Sequence, residues 1–195
     1  MAHLIGRPVL RDLIPERAFA RRTLRTALLC VAAAAAAPSP AATPPLEQAV
    51  KASYIFKFAP FIEWPSGSFA APASPFVICL AGQDPFGPVI DEVVRGQKVA
   101  GRTIALRRVG STVPAGCQIL FLGRPAPSNN VPLVLTPGQP VLTITDAGSG
   151  VGGAIIQFVM QGGRVRFQID DAGARANGLV ISSKLLGLSI GASRP

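Results

Sequence analysis

Apolar positions along this chain recur at two periods, three-to-four and two, and segments of each kind alternate. Leu46, Val50, Tyr54, Phe58 and Phe61 lie three or four residues apart, which predicts an amphipathic helix with an aromatic buried stripe. Thr43, Pro44 and Pro45 suit its start, with threonine as the cap and proline in the first turn, and Trp64-Pro65 ends it. Residues 66–74 (SGSFAAPAS) read as loop. The run PFVICLAG at 75–82 is short, continuous and rich in β-formers, as a strand buried on both faces should be. Asp84-Pro85 turns the chain into a short helix over 86–95 carrying Phe86, Val89, Ile90, Val93 and Val94.

The second half continues the alternation. Residues 96–109 contain a strand with Ile104, Leu106 and Val109 as its inner face, and CQILFLG at 117–123 is another buried strand. The stretch 124–138 holds four prolines and two asparagines and supports at best one poor helical turn. PVLTITD at 140–146 is a further central strand. AIIQFVM (154–160) and RVRFQID (164–170) form a hairpin around Gln161-Gly162-Gly163. Its second arm puts Val165, Phe167 and Ile169 on one face and Arg164, Arg166 and Gln168 on the other, so one face meets water. A weak helix over 171–177 stops at Gly178, and Ser182 or Ser183 caps a last helix over 184–189. Strands interleaved with helices make a single layered α/β domain with a mixed, mostly buried sheet flanked by helices.

The N-terminus has a different composition. Residues 21–42 run from basic (Arg21, Arg22, Arg25) through an apolar stretch to a small-residue region broken by Pro38 and Pro40, the anatomy of a secretory signal peptide. The apolar run, Ala27 to Ala37, is shorter than the roughly 20 residues of a membrane span. Residues 1–42 are thus expected to be a leader and cleaved signal, with cleavage after Ala41 or Ala42, and 43–195 the exported domain. Six of the 19 basic residues precede Ala27, so the formal charge of +9 falls to +5 in the remainder. Those basic residues are scattered and lack aromatic stacking platforms, which argues against a nucleic-acid partner. Export also leaves only Cys79 and Cys117, which an oxidising compartment would join as one disulfide, the alternative being two buried thiols.

Catalytic patterns are sparse. The one histidine is His3, inside the leader, so the mature chain lacks Ser-His-Asp and Cys-His arrangements and the usual zinc ligands. GSGVGG at 148–153 fits G-x-G-x-x-G but precedes a strand where a dinucleotide loop needs a helix, and it reads as a glycine turn. Asp91-Glu92 read as solvated surface and Asp170-Asp171 as a helix cap, which leaves isolated carboxylates such as Glu63 and Asp146. No enzyme and no cofactor is expected.

KASYIFKFAPFIEWP (51–65), PFVICLAGQDPFG (75–87), GRTIALRRV (101–109), CQILFLG (117–123), PVLTITD (140–146), GGAIIQFVMQGGRVRFQID (152–170) and GLVISSKLLGL (178–188) together resemble the YfiR family, in order and spacing, from about residue 46 to 190. The resemblance implies an α/β fold with a mixed sheet and a periplasmic repressor. Such a repressor binds the sensor region of an inner-membrane diguanylate cyclase and holds it inactive. An outer-membrane lipoprotein with a peptidoglycan-binding domain sequesters the repressor, cyclic-di-GMP rises, and biofilm growth follows. The namesake forms a homodimer and carries two disulfides. Only the Cys79–Cys117 bridge carries over, because the region 148–153 has no second cysteine pair, and the Pro-rich 124–138 stands where the family usually has a helix.

Candidate partner contacts are Trp64, Phe86, Arg164, Arg166 and Lys184. Each has an ordinary alternative: packing for Trp64, a first buried helix residue for Phe86, solvated charge for the two arginines, and a helix-start surface residue for Lys184. The rival functional expectation is a small-ligand sensor domain feeding a kinase or receptor. A deep polar pocket at the strand ends would favour it.

Overall fold

The computed structural model describes residues 46–110, 114–125 and 138–193. The expected leader, the Thr43-Pro44-Pro45 helix start and most of the Pro-rich stretch lie outside these. The described chain runs α1 (Leu46–Lys57), a 3-10 turn (Ala59–Phe61), β1 (Ile62–Glu63), β2 (Phe76–Ala81), α2 (Pro88–Val94), β3 (Lys98–Val99), β4 (Arg102–Val109) and β5 (Ile119–Leu122). It continues through β6 (Leu142–Asp146), a second 3-10 turn (Ala147–Ser149), β7 (Ile156–Gln161), β8 (Arg164–Asp170), α3 (Asp171–Ala176), β9 (Val180–Ile181), α4 (Ser183–Leu188) and β10 (Ala192–Ser193). The fold is mixed α/β, as the alternation of periods predicts.

Eight strands form one sheet in the order β10-β8-β7-β6-β5-β2-β4-β3, and β1 pairs with β9 in a separate two-stranded piece. From β4 to β7 every pairing is parallel; β3–β4 and β7–β8 are antiparallel hairpins. Parallel strands in the middle of a sheet are covered on both faces and need continuous apolar runs. β2 and β5 are buried at every position, and β6 at all but its last. β8 lies near an edge and alternates, with Phe167 and Ile169 buried between exposed Arg164, Arg166 and Gln168. The β7–β8 turn is Gly162-Gly163, both at positive φ (57° and 71°), as a two-residue hairpin turn requires.

One face of the sheet carries the main core. Ile78, Leu80, Phe121, Ile144, Ile156, Phe158 and Phe167 meet Ala52 and Ile55 of α1, Phe58 just after it, Ile90 and Val94 of α2, Ala174 of α3 and Leu185 of α4. Phe58 is its centre, 5.0 Å from the Phe167 ring edge-on, with Tyr54 and Phe158 within 6 Å. The opposite face carries a smaller cluster of Val77, Cys79, Ala81, Cys117, Leu120 and Leu122, to which no described helix contributes. Cys79 and Cys117 are joined there as a disulfide, with Cα atoms 5.9 Å apart.

Three expectations need correction. The first helix ends at Lys57, short of Trp64, because Pro60 lacks an N–H and its ring would collide with the Phe56 carbonyl; the chain tightens into the 3-10 turn instead. Its buried line runs through Lys51, Ala52 and Ile55 toward Phe58 just beyond its end, which leaves Leu46 80% exposed. Small Ala52 lets the helix approach the sheet, and that contact sets the rotation. Val109 does not share a face with Ile104 and Leu106: it is an odd step away and joins the disulfide cluster. The brief pairings of β1 with β9 and of β10 with β8 have no period at two residues each and were not foreseeable from the pattern.

Candidate functional site

Parallel sheets bind small ligands outside the carboxyl ends of their strands, where the strand order reverses. Here β2 is the first strand of the parallel block and is flanked by β4 and β5, so that point lies between β2 and β5. It is closed. Beyond the strands, Gln83 N–H donates to the Arg124 carbonyl at 2.8 Å, and Gly123 N–H donates to the Ala81 carbonyl at 2.8 Å. The two chains approach so closely that a Cβ at Gly123 would sit 2.0 Å from the Gln83 oxygen, and one at Gly82 2.7 Å from the Arg124 oxygen. Among the described residues, the two segments leave no room for a side chain at either glycine.

The polar groups nearby are also committed. The Asp84 carboxylate accepts from Phe86 N–H (2.8 Å), Gly87 N–H (3.1 Å) and Arg108 Nε (2.9 Å). Arg108 reaches on to Asp91 (2.6 Å) and the Gly87 carbonyl (2.9 Å), tying β4 to the start of α2. The guanidinium hydrogen bond holds the Asp91 carboxyl below the usual carboxylate range, outweighing the opposing effect of burial. One strand further, Asp146 at the end of β6 receives the Lys51 ammonium, which also pairs with Glu47. Lys51 is only 2% exposed. Burial works against its charge, yet hydrogen bonds to Asp146 and Glu47 win and raise its pKa above the ordinary lysine value. One buried ammonium shared by two carboxylates ties α1 to the end of β6, and both carboxylates are engaged in ion pairs. Glu63 sits elsewhere, exposed on β1. The glycine run 148–153 leads from a 3-10 turn into β7 with no helix after it, so it builds no phosphate cradle.

Two depressions among the described residues are open to solvent. One of 470 Å³ lies beside the β7–β8 hairpin, with Gly153, Gln157, Gln168, Asp170 and Gly191 among its lining. The other, 370 Å³, runs along α1 between Leu46, Val50, Tyr54 and Lys57. Among the described residues no group of three His, Cys, Asp or Glu side chains is placed to hold a metal ion.

The five candidate contacts are dispersed, with only Arg164 and Arg166 sharing an element. Trp64 is half-buried and packs edge-on against Phe76 at 5.6 Å, and its Nε1 is buried without a hydrogen-bond partner among the described residues. Phe86 is 2% exposed and sits edge-on to Phe121 at 4.8 Å, so the core uses the whole ring and none is left for a partner. Arg164 and Arg166 are exposed together on the outer face of β8, and no described carboxylate pairs with either. Lys184 is exposed in the first turn of α4, whose cap is Ser182. Sequence reasoning missed Lys51 and Arg108. Glu47 and Lys51 do stand four apart, which signals an ion pair, but nothing local shows that the pair is buried against Asp146.

Fold and strand order together define a small mixed-sheet α/β domain. The sequence model of the YfiR/HmsC-like family matches residues 48–190, and the chain belongs to that family. It is a family of periplasmic regulatory, non-catalytic proteins. No curated protein sequence matches the chain. No described helix is long and apolar enough to cross a membrane.

Proposed function

We propose that this protein is exported through its N-terminal leader and acts in the periplasm by binding the periplasmic region of an inner-membrane diguanylate cyclase. Binding holds the cyclase in its inactive population, by the difference in affinity for its two states. The observation that carries this reading is membership of a regulatory, non-catalytic family, and the β2 and β5 backbones that stay paired at the strand ends fit it. A protein built this way works through its surface. An outer-membrane peptidoglycan-binding lipoprotein that sequesters it, and a homodimer, complete the proposed scheme.

Deleting the gene is the test. Cellular cyclic-di-GMP should rise and return to its former level only with the exported form; an unchanged level rejects the reading. N-terminal sequencing of the periplasmic form checks the leader, with a start at Ala42 or Thr43 expected. The sensor reading has one feature in its favour, the 470 Å³ depression with its two glutamine amides and Asp170. A ligand co-purifying there would turn the assignment toward it.

A further inference from the structure

The two edges of the main sheet are finished differently. On the β8 side, the C-terminal chain lies along the edge: β10 pairs with Ile169 and Asp170, and Ile190 N–H donates to the Phe167 carbonyl at 2.9 Å. On the other side, β3 pairs only with Arg102 and Thr103, and Gln97 adds one more bond to Ile104 N–H. Successive residues of a strand point their main-chain groups to opposite sides. Because Ile104 N–H points outward, so do the N–H and C=O of Leu106 and Arg108. Among the described residues nothing pairs with them.

Sheet edges are commonly blunted by long charged side chains. β4 carries Arg107 and Arg108, but the Arg108 side chain is drawn over α2 by Asp84, Asp91 and the Gly87 carbonyl, which bares the main chain beneath it. The flanks are apolar and half-buried: Ile104 and Leu106 on the helix-bearing face, Ala105 and Val109 on the disulfide face. Arg107 stands between those last two, exposed and with no described carboxylate beside it. A second copy pairing here would bring a second set of arginines alongside, which is unfavourable.

We propose that the open edge of β4, Ala105–Val109, is a docking surface that accepts an extended segment of another protein as an added strand. The segment places apolar side chains beside Ile104 and Leu106 and a carboxylate on Arg107. Main-chain bonds to Leu106 and Arg108 give the affinity, and Arg107 selects the charge. This deepens the regulatory reading, on which it rests for the partner's identity alone.

The probe is a seven-residue peptide alternating valine and glutamate, added to the processed protein isolated from cells, with amide exchange followed by NMR. Exchange at Leu106 and Arg108 should slow at least tenfold. The protection should vanish with a peptide N-methylated at alternate residues or with lysine in place of glutamate, and Arg107→Glu should reverse the preference to the lysine peptide. Unchanged exchange at both amides overturns the proposal. So does protection present before any peptide, in a protein that sediments as a dimer, since a second copy then fills the edge. In cells, Arg107→Glu should lift cyclic-di-GMP to the deletion level. If deletion lifts it and Arg107→Glu does not, the edge is wrong and the regulatory reading stands. If deletion has no effect, that reading fails and the exchange result alone decides the edge.

Discussion

The two faces of the main sheet hold to the same backbone by different means. One is filled by large side chains from four helices around Phe58, Phe121, Phe158 and Phe167. The other has small and medium side chains, no described helix, and one covalent bond between Cys79 and Cys117. Burial of aromatic area is distributed, so the first face tolerates small repacking but suffers from any lost ring. A disulfide acts mainly on the unfolded chain by restricting it, so the second face gains order without volume. The lesson is that a sheet can be secured on its thinner side by a cross-link.

That comparison can be broken from either side. The largest effect is expected from Phe58→Ala, which removes a ring in contact with three others and should cost about 3–5 kcal/mol in denaturant unfolding. Replacing Cys79 and Cys117 together by alanine should cost about 2–4 kcal/mol, for a bridge closing a separation of 38 residues, and a reductant should mimic it in the native protein and leave the double variant unchanged. Equal loss from reductant in both proteins would mean the bond does not hold the face.

Lys51→Met should cost about 1–3 kcal/mol, below the figure for a fully buried pair because Asp146 and Glu47 both reach solvent. The Lys51 pKa is raised on folding, so its contribution is complete below the ordinary lysine value of 10.5 and is lost as pH rises through the folded value. Alkaline titration should therefore destabilise the native protein more steeply than the methionine variant. The smallest effect belongs to Asp91→Asn. The Asp91 pKa is lowered on folding, so its link to Arg108 contributes above the ordinary carboxylate range and fades as pH falls through the folded value. The group is exposed, so at neutral pH the variant should lose only about 0.5 kcal/mol, and the difference should disappear in acid.

The strands and the main helices were legible because their signals are local. Continuous apolar runs announced β2, β5 and β6, and alternation with a Gly-Gly turn announced β7–β8. Asp170 and Ser182 are the caps their positions indicated. What stayed hidden depends on distant partners. The burial of Lys51 rests on Asp146, 95 residues away, and Arg108 gains its role only when β4 lies beside the turn that holds Asp84. The close approach at the strand ends was equally invisible: Gly82 and Gly123 look like ordinary turn glycines until β2 and β5 are placed side by side. Phe86 had two readings because a buried aromatic and an exposed anchor leave the same mark in one sequence, and it is buried.

The strand-end contact of Gly82 with Gly123 also bears on how such a domain can change its role over time. Both positions exclude a single methyl group, so any larger residue there must prise β2 and β5 apart at their tips. The opening it makes would lie at the fold's natural ligand-binding point, between Asp84 on one chain and Arg124 on the other. The domain therefore stands one point substitution from a geometry in which small molecules have somewhere to enter.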